Sequence, residues 1–239
     1  EDAAALELLP AVLAELDALP PGAQLVRLVE GLMAGNIFDL GARATADLYH
    51  ANGLDFRRTR AEQPQRPWFV DDLDAWQARW AGGRGYRHAV WFVDNAGSDL
   101  VLGCLPLVRW LLGRGTRVTL AANSGAALND ITAEELAALL RAAGERVPAL
   151  ADPGLRVVAS GNAAPLIDLT RLSAECVAAA ADADLLMLHG MGRSVESNRL
   201  AHFTCDTLRT AVLKDEAVAR HVGGRLFDCI FRFDPGAGR

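Results

Sequence analysis

From residue 3 to about 19 the apolar positions recur at helical spacing in ALELLPAVLAELDAL, with Pro10 as a kink or a boundary. Further helical patterns cover 24–34 and 38–50. Residues 51–87 are mixed: QPQRPWFVDDLDAWQARW reads as a loop followed by a helix that Asp71 or Asp72 caps. The Gly cluster in AGGRGYR, 81–87, marks a join. The pattern therefore predicts an N-terminal helical region, 1–85, and an α/β core, 86–239, expected to form one integrated domain.

After the join the pattern changes to strands alternating with helices. Strand-like runs are HAVWFVD, RVTLAAN, LRVVAS, DLLMLHG, TAVLK and LFDCIFRF, and helical stretches are predicted at 99–113, 132–144, 171–182, 195–204 and 215–222. Near-continuous apolar strands between amphipathic helices indicate a mostly parallel sheet covered on both faces. Ligands of such sheets gather beyond the carboxyl ends of the strands. The residues there are Asp94 and Asn95, Asn123 with SGAALND, the SGN of 160–162, and HGMGR at 189–193.

Composition narrows the class of partner. With 24 Lys plus Arg against 30 Asp plus Glu, the net charge is −6, and no basic cluster is denser than DFRRTR. Nucleic acid is therefore not the expected partner, whereas a small phosphate ester is compatible if a metal or Arg supplies local charge. The four cysteines are widely spaced and form no CxxC pair, which suits reduced thiols in the cytoplasm. No apolar run approaches the ~20 residues of a membrane span. The opening EDAAALELL begins inside a helical pattern without Met, as expected of a trimmed chain. Nothing in the pattern indicates an oligomeric state.

The strand ends carry the candidate chemistry. Asp94 and Asn95 each suit a helix cap, but Asp130 stands at the next strand-to-helix junction beside Thr132. Two carboxylates and an amide oxygen from adjacent strands form a hard, all-oxygen set that magnesium or manganese prefers. In HGMGR, Gly190 and Gly192 let the backbone approach an anion, and Arg193 offers a planar fork to phosphate; a tight turn with a solvated Arg is the simpler alternative. His189 fits a structural histidine, and Asn36 of AGNIFD fits a cap of a helix beginning near Phe38. No GxGxxG or P-loop follows the first strand, no DxD pair occurs there, and no GxSxG elbow is present.

Together VDNAGSD, LAANSGAALNDIT, GMGR, AGNIFDLGA and RPWFVDDL resemble the damage-control metal-dependent phosphatases, in order and with similar spacing from about Gly35 to Phe233. The resemblance is to the subgroup of a plant stand-alone enzyme and the C-terminal domain of pantothenate kinase 4. It implies a three-layer α/β/α sandwich with a helical N-terminal region. It also implies a divalent metal (manganese, nickel, cobalt or magnesium) on Asp94, Asn95 and Asp130. Catalytic roles then fall on Asp94, as candidate nucleophile, and Arg193. Substrate contacts are expected from Asn36, Asp39, Asn123, Ser160, Gly190, Gly192 and Arg193. His189 departs from the Glu of the subgroup's EGMGR signature.

The implied substrate is 4'-phosphopantetheine or its damaged, oxidised forms, in coenzyme A metabolism. Residues 34–87, rich in Trp, Phe and Asn, could form one wall of a groove for its amide-rich arm. A sugar-phosphate phosphatase, with Asn123, Ser124, Ser160 and Asn162 binding hydroxyls, and a non-catalytic phosphometabolite-binding module are the alternatives.

Overall fold

The computed structural model describes residues 2–37, 56–83 and 85–237. Its strands are β1 (Val70–Asp71), β2 (His88–Phe92), β3 (Arg117–Ala122), β4 (Leu155–Ala159), β5 (Leu185–His189), β6 (Asp206–Val212) and β7 (Cys229–Asp234). They form one sheet in the order β1-β7-β6-β5-β2-β3-β4. Every neighbouring pair is parallel except β6 with β7. The chain builds outward from β2 through β3 to β4, then returns to lay β5 on the other side of β2. The order reverses between β2 and β5, the place beyond whose carboxyl ends ligands of such sheets bind.

Alternation along β2 shows why both faces must be covered. Ala89, Trp91 and Val93 face one core together with the helices α1 (Asp2–Asp17) and α2 (Pro21–Ile37), while Val90 and Phe92 face another with Cys176 of α7 (Ala174–Ala180). A third cluster joins Ala211, Leu213 and Ile230 to Ala219 of α8 (Glu216–Val222). The architecture is thus a three-layer α/β/α sandwich. The remaining helices are α3 (Phe56–Glu62), α4 (Leu73–Ala81), α5 (Leu105–Leu112) and α6 (Ala133–Arg146). Strand β1, from the N-terminal region, pairs with β7 at the sheet edge, so that region shares both the sheet and the main core.

Several local expectations are corrected. Helix α1 runs through Pro10, which lies on its exposed side. Of the two caps expected for α4, Asp71 Oδ1 accepts from the Leu73 N–H at 3.4 Å, whereas Asp72 makes no side-chain cap bond and its carboxylate accepts instead from the Phe233 N–H on β7, 3.0 Å away. The helix expected over 195–204 does not form. A π-helix covers Met191–Glu196, and beyond it the Ser197 hydroxyl donates to the Gly192 carbonyl while the Asn198 amide donates to the Arg193 and Ile167 carbonyls. Side chains that bond the backbone in this way compete with helix propagation. The strand expected at TAVLK begins earlier, at Asp206. The helical pattern over 38–50 lies outside the described residues.

The packing of α2 positions the site. A second π-helix, Asp99–Cys104, lies against α2 with almost no separation between backbones: a Cβ on Gly35 would fall 2.9 Å from the Asp99 Cα. Only glycine permits that approach, and it brings Asn36 in the last turn of α2 over the carboxyl end of β2.

Candidate active site

Beyond the carboxyl ends of β2 and β5 lies a buried polar cluster drawn from five segments. Backbone bonds fold the loop after β3 onto the end of β2: Ile131 N–H donates to the Asp94 carbonyl at 3.0 Å, and Ala96 N–H to the Asn129 carbonyl at 3.0 Å. Asp130 thereby lies beside Asn95. Thr132 starts α6 with a reciprocal capping box to Glu135, so Asp130 is not needed as a cap and its carboxylate turns inward. Asp94 and Asn95 do not cap either; their side chains join the cluster.

Arg193 sits at its centre. One guanidinium nitrogen donates to Asp94 Oδ1, and the other to Asp130 Oδ2 at 2.8 Å and Asn123 Oδ1 at 3.2 Å. Asn36 donates to Asp94 Oδ2 at 3.2 Å and Asp99 Oδ2 at 3.1 Å, while its own Oδ1 accepts from Val212 N–H. Asn95 donates to the same two carboxylates at 3.1 and 2.9 Å. His189 is fully buried, with Nε2 2.9 Å from Asp99 Oδ1 and Nδ1 2.8 Å from Thr210 Oγ1. Lys214 donates to the Asn36 carbonyl at 2.8 Å.

Glycine makes this convergence possible. Gly190 has φ +88°, and a Cβ there would overlap the Asp94 carboxylate. Gly192 lies against the loop after β4, where a Cβ would meet the Pro165 carbonyl at 2.5 Å. Ser160 is buried in that loop, its hydroxyl accepting from Asn162 N–H at 3.2 Å. Asn123 donates to Asp130 and to the Ala164 carbonyl, both at 3.1 Å. Asp39 and the helix start near Phe38 lie outside the described residues.

The electrostatics divide the acids. Burial pushes the Asp94 carboxyl above its usual range even though Arg193 and Lys214 pull it down. Burial also opposes ionisation of Asp99, but attraction to His189, their hydrogen bond, Lys214 and the Asn36 amide outweigh it and hold that carboxyl low. Among the described residues the site thus sets the carboxyl groups of Asp94, Asp99 and Asp130 against Arg193, Lys214 and His189, and burial makes each of these interactions strong.

The donor set fits a hard divalent ion. Asp94, Asn95 and Asp130 offer oxygens, and the guanidinium lodged between the two carboxylates shows that the space between them accepts positive charge. A second group, Asp99, Cys104 and His189, brings one ligand atom each within 4.8 Å of one another. It suits a hard ion less well: burial, followed by the charges of Asp99 and Asp94, pushes the Cys104 thiol well above its ordinary range, and both imidazole nitrogens already have partners. Asp99, Lys214 and Thr210 were not singled out from sequence. Asp99 lies inside VDNAGSD and Lys214 ends TAVLK, so both could have been found by reading every polar residue of a strand-end motif.

The family model for the damage-control phosphatase ARMT1-like domain matches residues 1–230. A damage-control phosphatase of Arabidopsis thaliana is 42% identical over 98% of this chain and 65% of its own length. A 4'-phosphopantetheine phosphatase of Mus musculus is 31% identical over 98% of this chain and 35% of its own. The chain thus spans less than two thirds of these curated relatives. A crystal structure of a DUF89 family protein from Pyrococcus horikoshii matches with TM-score 0.67 at 18% identity, over 96% of this chain and 72% of that one, a likeness of fold. Among the described residues no helix is long and apolar enough to cross a membrane. The chain belongs to the damage-control phosphatase ARMT1-like domain family.

Proposed function

We propose that this chain is a metal-dependent phosphomonoesterase for small phosphometabolites, with 4'-phosphopantetheine or its oxidised forms as first substrates, acting in coenzyme A metabolism in the cytoplasm. The observation that carries this reading is the bridge from Asp94 through Arg193 to Asp130 at the switch point of the sheet. Asp94, Asn95 and Asp130 would hold manganese, nickel, cobalt or magnesium. When bound, such an ion polarises a phosphoryl oxygen and neutralises charge developing on it.

The chain's own residues supply the rest. Arg193 fixes a positive charge beside the metal-ligand set, its planar fork engaged by Asp94, Asp130 and Asn123. Its partners Asn123 and Pro165 hold the fork in place, and near-complete burial excludes water and strengthens each charge interaction. Asp94 is the candidate side-chain nucleophile, oriented by Asn36 and Asn95. His189, where the subgroup's signature has Glu, orients Asp99, which in turn holds both amides.

The pantetheine reading is preferred to a sugar phosphate because three of the four hydroxyl-binding candidates already bond within the protein, leaving Ser124, whose exposed hydroxyl accepts from Gly161 N–H. Asn123 serves Asp130 and Ala164, Ser160 serves Asn162, and Asn162 serves Asp168. Free cysteines throughout suit the cytoplasm. The direct test is p-nitrophenyl phosphate hydrolysis with and without added divalent ions. Hydrolysis that appears on metal addition and disappears with chelator is expected; unchanged rates under both conditions contradict the proposal.

A further inference from the structure

The asparagines of the cluster differ in which ends of their amides are engaged. Asn36 donates through Nδ2 to Asp94 and Asp99, and its Oδ1 accepts from Val212 N–H at 3.1 Å. Asn123 donates to Asp130 and to the Ala164 carbonyl, and its Oδ1 accepts from Arg193 at 3.2 Å. Asn95 donates through Nδ2 to Asp94 Oδ2 at 3.1 Å and to Asp99 Oδ2 at 2.9 Å, but among the described residues no donor reaches its Oδ1. Of these amides, only that of Asn95 thus has an oxygen left for an ion, and a hard divalent ion takes such oxygens.

Asp99 fixes that polarity. The two ends of an amide are alike in size, and their hydrogen-bond partners decide which way each faces. Asp99 Oδ2 accepts from Asn95 Nδ2, from the Asn95 backbone N–H at 3.4 Å and from Asn36 Nδ2 at 3.1 Å. An oxygen that receives all of these N–H groups acts as an acceptor, so it holds the nitrogen end of Asn95 and leaves the oxygen end facing elsewhere. Asp99 Oδ1 is engaged too, 2.9 Å from His189 Nε2. A ring nitrogen that faces a carboxylate carries the hydrogen, and the other ring nitrogen lies 2.8 Å from Thr210 Oγ1. With both oxygens occupied by donors, Asp99 offers no ligand of its own. Asp94 also accepts from Asn95 Nδ2 but belongs to the ligand set itself. Among the described residues Asp99 is therefore the holder of that nitrogen outside the set. Its own place is fixed by the π-helix it begins and by the close contact of that helix with Gly35.

We propose that Asp99 is a positioning residue for the metal: it holds the nitrogen end of the Asn95 amide, presents Asn95 Oδ1 as a ligand, and so sets the ion affinity of a site to which it gives no ligand. This rests on the metal-dependent reading above and adds what orients one of the three ligands. Partners that orient a ligand in this way typically contribute about 10–100-fold to metal affinity.

The test is a double-mutant cycle on manganese affinity, read from the electron paramagnetic resonance signal of the free ion, in the parent, Asp99→Leu, Asn95→Asp and the double variant. Asp99→Leu removes the acceptor at similar size. Asn95→Asp gives residue 95 an oxygen at both ends, so no neighbour is needed to orient it. The expected result is that Asp99→Leu raises the manganese Kd about tenfold or more when Asn95 is intact, and less than threefold in the Asn95→Asp background. Equal Kd in the parent and Asp99→Leu overturns the positioning role. An equal loss in both backgrounds does so as well, because it shows only a charge acting from nearby. Either result leaves the phosphatase reading intact. A parent that binds no manganese overturns the metal reading and the positioning role with it. Should a variant fail to fold by circular dichroism, a crystal structure of the manganese-loaded parent decides. Asn95 Oδ1 on the ion with Asp99 on its nitrogen is expected there; Asn95 off the ion, or Asp99 bonded to it, overturns the proposal.

Discussion

A Cβ on Gly190 would stand 2.0 Å from Oδ2 of Asp94, so the turn after β5 and the carboxylate after β2 share space that only a glycine leaves open. The backbone there is also left-handed, at φ +88°. Gly190→Ala is expected to displace the carboxylate and lower kcat/KM about 100-fold or more, since misplacement near 1 Å costs that much. Steady-state turnover at saturating metal checks it. A fall below threefold would show that Asp94 does not need this position.

Removing the guanidinium should unfold before it merely inactivates. Arg193 is buried between two carboxylates, and deleting one partner of such a network leaves uncompensated charge at a cost of about 3–5 kcal/mol. Arg193→Ala is expected to lose about that much stability in chelator, with part of the loss restored by manganese. Arg193→Lys retains the charge but not the fork and should fall between the two. Urea denaturation with and without metal measures both; a parent-like midpoint for Arg193→Ala in chelator would refute the bridge.

A separate pH dependence belongs to the far end of the sheet. Hydrogen bonds from Arg117 and then His88 hold the Asp182 carboxyl down at about 2. A depressed carboxyl stabilises the fold above its ordinary value near 3.8, and the contribution is lost as pH falls from about 4 through 2. Because the side chain is more than half exposed, screening limits it to below about 1 kcal/mol. Asp182→Asn should therefore melt slightly below the parent at pH 7 and level with it at pH 2. A gap that widens as pH falls would contradict the assignment.

The thiols should separate by environment. Burial pushes Cys176 up to about 11 and Cys229 up to about 12, with Cys104 also raised, whereas Cys205 is half-buried. A thiolate-directed reagent at pH 8 is expected to modify Cys205 first. Rapid labelling of Cys104 would show that the cluster beneath Asp99 opens readily.

What the sequence made legible follows from how each signal is encoded. Period-two and continuous apolar runs marked β2 to β7 because burial on both faces requires them. The two-residue β1 has no period to read and exists through its pairing with β7. Asp94, Asn95, Asp130 and Arg193 were visible as polar residues at strand ends, and the structure brings all four together. Ser160 was visible for the same reason yet lies in its own turn. Asn36 sits in a helix far from these in sequence, and its reach to Asp94 depends on the glycine contact between α2 and the π-helix at Asp99. The break at Ser197 and Asn198 was hidden because their side chains choose backbone carbonyls only once Arg193 and Ile167 are in place.

The central claim is that the Asp94, Asn95 and Asp130 oxygens hold the ion that makes this chain a phosphatase. The most direct measurement is phosphate release from 4'-phosphopantetheine across a manganese titration, for the parent and Asp130→Asn. That substitution retains size and removes one charge from the site. The account predicts saturable, metal-dependent release by the parent, and in Asp130→Asn a loss of at least about 100-fold, equivalent to ~2.7 kcal/mol of transition-state stabilisation. Equal rates for the two proteins at saturating manganese, or release that ignores the metal, would contradict it.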